Sequence, residues 1–184
     1  MVVGASAGGL EALKVLFQRL GKNFPFAVLV TKHLGVEDED GVLNVLDQEA
    51  EARVRLARDK QSIHPGEIYL APGDYHLQVE DRGSMSLSAD ERVCHSRPSI
   101  DVLFQTAADV YGAEVIAVLL TGANRDGADG IVAVRNRGGM TIVQNPESSE
   151  VPVMPNAAVA TGCVGHILEL EQIAGFLRQS TDSD

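Results

Sequence analysis

The chain has 184 residues, 45% of them hydrophobic, enough for one α/β domain with a buried core, and no change in composition marks a second domain. A formal net charge of −11 without any concentration of Lys and Arg excludes a nucleic-acid partner or an anionic membrane surface, because phosphate binding needs clustered positive charge. Cys94 and Cys163 stand far apart and outside C-x-x-C spacing, and no apolar run reaches the ~20 residues a bilayer requires; the expectation is a cytoplasmic protein with no cofactor, no metal and no membrane insertion.

The chain opens on Met1-Val2-Val3 and passes at once into Gly4-Ala5-Ser6-Ala7-Gly8-Gly9, followed by Leu10, Leu13, Phe17 and Leu20 at helical spacing. A serine at a glycine-flanked strand-to-helix turn reads as a nucleophile. The glycines let the backbone turn sharply, the hydroxyl protrudes, and the first helical amides face whatever it attacks. A dinucleotide fingerprint is one alternative, but Ser6 puts a side chain where the middle glycine lets the backbone approach a pyrophosphate. A plain N-cap serine is the other, and the motif by itself does not separate the two roles. With three residues before Gly4, the start reads as a domain cut from something longer or as an incomplete beginning.

Apolar runs at residues 26–30, 115–120 and 140–143 predict strands, and the helical spacing between them predicts the βαβ pattern of a mostly parallel sheet. His33 follows the first of these runs, at the carboxyl end of the second strand, where a neighbouring parallel strand lies ~4.8 Å away and Ser6 is within reach. The run Glu37-Asp38-Glu39-Asp40 fits the first turn of a helix, where carboxylates complement the dipole, better than a cation site. Alternation near residues 67–89, with turns at Pro72-Gly73-Asp74 and Asp81-Arg82-Gly83-Ser84, predicts an antiparallel hairpin insert.

After Pro98-Ser99, the spacing of Ile100, Leu103, Phe104, Ala107 and Ala108 predicts a helix lying on the sheet. Arg97, beside the proline, is a candidate to steer an acidic substrate, although a solvated arginine is the ordinary reading. The apolar strand ending at Leu120 enters a glycine-rich loop, residues 121–130, that holds Asp126 at a strand's carboxyl end; helix N-capping is its alternative role. Gly138-Gly139 closes the following helix and Gly162 another begun near Pro155, while residues 181–184 read as a frayed polar tail. His64, His76, His95 and His166 are read as ordinary core or surface histidines.

A serine hydroxyl becomes nucleophilic when a base takes its proton and a third group holds that base. Ser6, His33 and Asp126 meet if the strand leading to Asp126 lies on the other side of the first strand from His33, at the crevice where the strand order reverses. The order Ser, His, Asp, with the serine on the first strand, separates this arrangement from the α/β-hydrolase fold.

Gly4-Ala5-Ser6-Ala7-Gly8-Gly9, Lys32-His33-Leu34, Ala71-Pro72-Gly73-Asp74-Tyr75-His76, Arg97-Pro98-Ser99-Ile100-Asp101-Val102-Leu103-Phe104, Leu120-Thr121-Gly122, Asp126-Gly127-Ala128, Gln144-Asn145 and Met154-Pro155 form an ordered set. It resembles the catalytic domain of the bacterial chemotaxis protein-glutamate methylesterases, the CheB family, over nearly the whole chain. The resemblance implies an α/β fold with a doubly wound, mostly parallel sheet and helices on both faces, a methylesterase domain at residues 1–180, and a triad on Ser6, His33 and Asp126. It further implies hydrolysis of methyl-glutamate esters on the cytoplasmic helices of chemoreceptors, releasing methanol, with deamidation of certain glutamines as a related activity.

Ala7 stands where many relatives have threonine, and Ala123-Asn124-Arg125 where they often have methionine, glycine and a smaller residue. Backbone N–H groups at Ala7 and Ala123 are the expected oxyanion donors, which side-chain changes need not remove. The family's usual receiver domain is missing from the sequence, and the start and the Ala-Thr-Gly-Cys ending also resemble the esterase segment of esterase-methyltransferase fusions, so a receiver or methyltransferase domain outside this chain is an expected partner. The rival readings are a non-catalytic receptor-docking module of the same fold and an esterase or amidase of small metabolites.

Overall fold

The computed structural model describes residues 1–181. The chain lays down β1 (Val2–Ala5), α1 (Gly9–Leu20), β2 (Val28–Lys32), α2 (Glu39–Glu49), β3 (Val54–Leu56), β4 (Gln61–Ser62), β5 (Ile68–Leu70), β6 (His76–Asp81) and β7 (Ser84–Ser88). It continues through α3 (Ile100–Tyr111), β8 (Ile116–Leu119), α4 (Ala128–Asn136), β9 (Met140–Gln144), α5 (Val153–Val159), β10 (His166–Leu168) and α6 (Leu170–Thr181). Of the frayed tail expected at residues 181–184, Thr181 is instead the last residue of α6, and residues 182–184 lie outside the described residues. Among the described residues, no helix is long and apolar enough to cross a membrane.

Seven strands form one parallel sheet in the order β10-β9-β8-β1-β2-β5-β3. The first strand is therefore central: on one side the chain adds β2, then the edge strand β3 and β5 between them, and it returns to build the other half from β8. Strand order reverses at β1, immediately before Ser6, and this reversal opens a crevice at the carboxyl ends of the strands. The register pairs Ala5 with Lys32 and Gly4 with Leu119, so the residues that follow β1, β2 and β8 emerge side by side.

Because both faces are covered, the strands are buried continuously rather than in alternation. Val3 and Ala5 pack with Leu13, Leu16 and Phe17 of α1, Leu46 of α2 and Ile173 and Leu177 of α6. Val2, on the opposite face, belongs to a second cluster with Ile100, Leu103 and Phe104 of α3, Ile131 and Val134 of α4 and Met154 of α5. The buried set Ala12, Leu13, Leu16, Phe17 and Leu20 gives α1 the single apolar stripe that its sequence spacing predicts.

The insert differs in extent from the expectation at residues 67–89. It is a three-stranded antiparallel sheet, β4-β7-β6, that draws in Gln61–Ser62, whereas Ile68–Leu70 is a parallel strand of the main sheet between β2 and β3. All three residues of β5 are buried, so the polar residues that mimicked alternation lie just outside the strand. Tyr69 couples the two sheets: its ring is in the core, and its hydroxyl donates to Glu67 and accepts from His64 N–H. The edge strand β3, three residues long, gave no apolar run long enough to read in the sequence.

Gly4 sets how closely α3 approaches β1. A Cβ at this position would overlap Cγ2 of the fully buried Ile100 and lie 3.0 Å from its Cδ1. Ile100 is the first residue of α3, so the contact fixes the height of that helix's N-terminus over the end of β1. We expect Gly4→Ala to destabilise the protein by about 1–3 kcal/mol through overpacking. Combining it with Ile100→Ala should cost less than the two single changes summed, in denaturant melts of all four variants.

Candidate active site

Ser6 lies one residue past β1, half-buried, with its N–H donating to Thr121 O at 3.0 Å. The left-handed backbone that the turn requires falls on Gly8 (φ +72°), not on the serine, and Gly8 is the N-cap of α1 without any side-chain hydrogen bond. The N-cap reading of Ser6 is thereby excluded. Its hydroxyl instead sits 3.1 Å from His33 Nδ1.

His33 lies one residue past β2 and is 14% exposed at the side chain, and its backbone N–H donates to Ala5 O at 3.1 Å, holding the two strand ends in register. The other ring nitrogen, Nε2, is 2.6 Å from Asp126 Oδ2. A carboxylate accepts only, so Nε2 carries the hydrogen and the Nδ1 lone pair faces the serine. The imidazole is thus presented in the opposite sense to the serine-protease template, where Nε2 faces the serine, yet serves the same proton path.

Asp126 has no exposure to solvent. It is a helix cap, as its alternative reading held, but of a helix other than the one that follows it: Oδ2 accepts Ile100 N–H at 2.7 Å, and Oδ1 accepts Asp101 N–H at 3.0 Å and Ser99 Oγ–H at 2.8 Å. These are the free amides at the start of α3, where the helix dipole favours an anion. Burial pushes the Asp126 carboxyl up, but the hydrogen bonds from His33 and from the Asp101 and Ile100 amides outweigh it and hold the group below the usual carboxylate range. One carboxylate therefore caps α3 and fixes the ring of His33.

Residues with no individual signal in the sequence complete the support. His76, 1% exposed, accepts Ser99 N–H at Nδ1 (3.1 Å) and donates from Nε2 to Glu91 O (3.0 Å), so it orients the serine that bonds Asp126. Thr121, also buried, clamps the two loops that flank the nucleophile. Its Oγ1 donates to Ala7 O at 3.0 Å and accepts Val151 N–H at 2.9 Å, and its own N–H is taken by Gln144 Oε1 at 2.9 Å. Ala7 and Ala123 are exposed at these loops, and among the described residues neither backbone N–H has an internal acceptor.

Arg97 is not a free cation. Its guanidinium donates to Ala89 O at 2.7 Å, Asp90 O at 2.9 Å and Asp74 Oδ1 at 3.1 Å, tying the insert to the start of α3. Arg125 pairs with Asp129 one helical turn on, at 2.7 Å on an exposed face. Cys94, Asp101 and Asp126 bring one potential ligand atom each within 4.8 Å of one another. Both oxygens of Asp126 and Oδ1 of Asp101 are already taken by amide, hydroxyl and imidazole donors, which is the chemistry of a hydrogen-bonded anion site rather than of a metal centre. In the acidic run, Glu39 and Asp40 do open α2, preceded by a 3-10 turn, and Glu39 also accepts Gly73 N–H at 2.7 Å.

A protein-family profile described as CheB methylesterase matches residues 1–177. A relative from Leptospira interrogans is 39% identical over 174 residues, 95% of this chain and 90% of that protein. A protein-glutamate methylesterase/protein-glutamine glutaminase of Nitrosospira multiformis is 40% identical over 177 residues, 96% of this chain and 50% of that protein, so the chain spans about half of its length. The crystal structure of the Thermotoga maritima CheB methylesterase catalytic domain matches with a TM-score of 0.93 at 31% identity, covering 97% of this chain and 96% of that one.

Beside the triad, α3 and α4 cap each other. Asp126, just before α4, holds the amides of α3, while Asp101 in the first turn of α3 accepts Gly127 N–H at 2.9 Å and Gly130 N–H at 2.7 Å at the start of α4. Burial, together with the charge of Asp126, pushes the Asp101 carboxyl up to about 7 against the pull of the Gly130 amide. Between its ordinary value of 3.8 and about 7, the folded protein keeps a proton that the unfolded chain releases, so this group's contribution to stability falls as pH rises through that window. Asp126, shifted downward, acts below the window, its contribution being lost only as pH falls through its folded value. Asp101→Asn keeps the acceptor oxygen and removes the titration. The difference in melting temperature between about pH 5 and about pH 8 should shrink in this variant, with the gain in stability at the alkaline end.

Proposed function

The chain belongs to the CheB methylesterase family, and on that premise we propose that it is a serine hydrolase acting as a protein-glutamate methylesterase/protein-glutamine glutaminase on the cytoplasmic helices of methylated chemoreceptors. The observation that carries this reading is the line of hydrogen bonds from Ser6 Oγ through His33 to Asp126, at 3.1 and 2.6 Å. His33 takes the Ser6 proton at Nδ1 as the oxygen attacks the ester carbonyl, and Asp126 fixes the ring and balances the imidazolium that forms. The Ala7 and Ala123 N–H groups, exposed and without internal acceptors, receive the oxyanion. Thr121, two residues before Ala123, ties the two loops together: its Oγ1 donates to the Ala7 carbonyl and its own carbonyl accepts Ser6 N–H.

Methanol leaves from an ester, or ammonia from a glutamine amide, with the proton returned by His33. Water then releases glutamate from Ser6. Arg97, with three acceptors already engaged, serves the substrate through the loop it holds rather than as a free charge. A receiver or methyltransferase domain is the regulatory partner this reading expects, in line with relatives twice as long as their matched segment.

Ser6→Ala should lower methanol release from methylated receptor membranes by about 10⁴-fold or more, without a change in melting temperature. More than a trace of remaining turnover removes Ser6 from its role. Rapid labelling of the native protein, but not of Ser6→Ala, by a fluorophosphonate separates this reading from a non-catalytic docking module. A preference for free methyl esters over methylated receptor would favour a metabolite esterase instead.

A further inference from the structure

His33 Nδ1 faces two hydroxyls. Ser6 Oγ is 3.1 Å away and Ser96 Oγ is 3.4 Å away, at the outer limit of a hydrogen bond. Ser96 reaches the ring from a tight two-residue turn, closed by Val93 N–H on Ser96 O at 3.1 Å and Ser96 N–H on Val93 O at 2.8 Å. Both central residues of this turn, Cys94 and His95, have left-handed backbones, with φ of +48° and +64°. Such turns favour Asn-Gly, because other side chains crowd the backbone there, so Cys-His is carried at a steric cost. Strain held beside a reacting group points to a task for what the strained segment positions. Arg97, the next residue, anchors the turn's other flank through its bonds to Ala89, Asp90 and Asp74.

Resting on the triad reading, we propose that Ser96 is a positioning residue for the hydrolytic water, its hydroxyl and His33 Nδ1 together fixing where that water sits once Ser6 is acylated. Acylation forms the Ser6 Oγ–C bond and removes the hydroxyl hydrogen that faced the ring. Water must then give one proton to Nδ1 while its oxygen attacks the acyl carbon, and its second O–H needs an acceptor. Ser96 Oγ, 3.4 Å from that nitrogen, is within hydrogen-bond reach of a water bound to Nδ1 on the side that Ser96 faces. In the step, the water O–C bond forms and one water O–H breaks toward Nδ1, while the other stays bonded to Ser96. Collapse then breaks the Ser6 Oγ–C bond and returns the proton from Nδ1 to Ser6. A hydroxyl suits this place because it can donate to the neutral ring in the resting site and accept from water in the acyl-enzyme.

The test uses 4-nitrophenyl acetate, for which kcat/KM reports acylation and kcat is set by the hydrolysis of acetyl-Ser6. Ser96→Ala should lower kcat about tenfold, equal to ~1.4 kcal/mol, with KM falling in step and kcat/KM and the rate of fluorophosphonate labelling unchanged. Ser96→Thr should restore kcat and Ser96→Val, of the same shape, should not, a comparison that stands even if alanine loses the fold. A parallel fall in kcat and kcat/KM, or no change in either, overturns the proposal. Absence of Ser6 acetylation in the native protein overturns the triad reading instead, and this inference with it.

Discussion

Asp126 is shut off from water, and four hydrogen bonds converge on its two oxygens, one from His33 after β2 and three from Ser99, Ile100 and Asp101 at the start of α3. A buried carboxylate left without donors would cost several kcal/mol or take up a proton. Here the donors are groups that themselves need an acceptor, since the first amides of a helix have none within it. The same contacts that make the anion tolerable in the interior therefore lock α3 against the loop after β8 and set the rotation of the His33 ring. Folding and the proton path rest on one group.

The geometry around that anion follows from close backbone approach. Gly4 leaves room for Ile100 to enter against β1, and Gly127, at φ +97°, leaves room for Leu119 and Ile100 where α4 begins. With larger residues at either place, the start of α3 would stand off from the sheet and the amides would leave the carboxylate. Asp101 completes the lock by capping α4 from α3, so two acids exchange helix ends. That exchange buries two carboxyls close together, and burial first, with the charge of Asp126 added, pushes Asp101 up. Support then spreads outward through the Ser99 to His76 bond on one side and the Thr121 to Gln144 bond on the other.

Much of this was legible in the sequence. The runs behind β2, β8 and β9, the stripe of α1, the start of α3 after Pro98-Ser99 and the glycine closing α4 all follow from periodicity and turn chemistry, which act over a few residues. Placing Ser6, His33 and Asp126 at carboxyl ends of strands needed only the βαβ pattern and the rule that ligands gather where strand order reverses. The antiparallel insert was legible in kind but not in extent, because polar residues flanking the short buried strand β5 imitate alternation. Edge strand β3 was too short to show any period.

Local residue order thus determined most of the main-sheet elements, their parallel sense and three candidate side chains at strand ends, while the strand order that brings those three together came from the tertiary structure. It could not tell whether Asp126 caps its own helix, because the helix it caps starts 26 residues earlier in the chain. Nor could it show that Arg97 is already engaged, that His76 and Asp101 stand behind the triad, or that a second hydroxyl at Ser96 reaches the imidazole. Those facts depend on distances between segments far apart in sequence. Only tertiary packing, of α3 and α4 together on one face of the sheet and of the segments before α3 against the strand ends, fixes such distances, since no pattern along the chain encodes which free amide a buried oxygen will find.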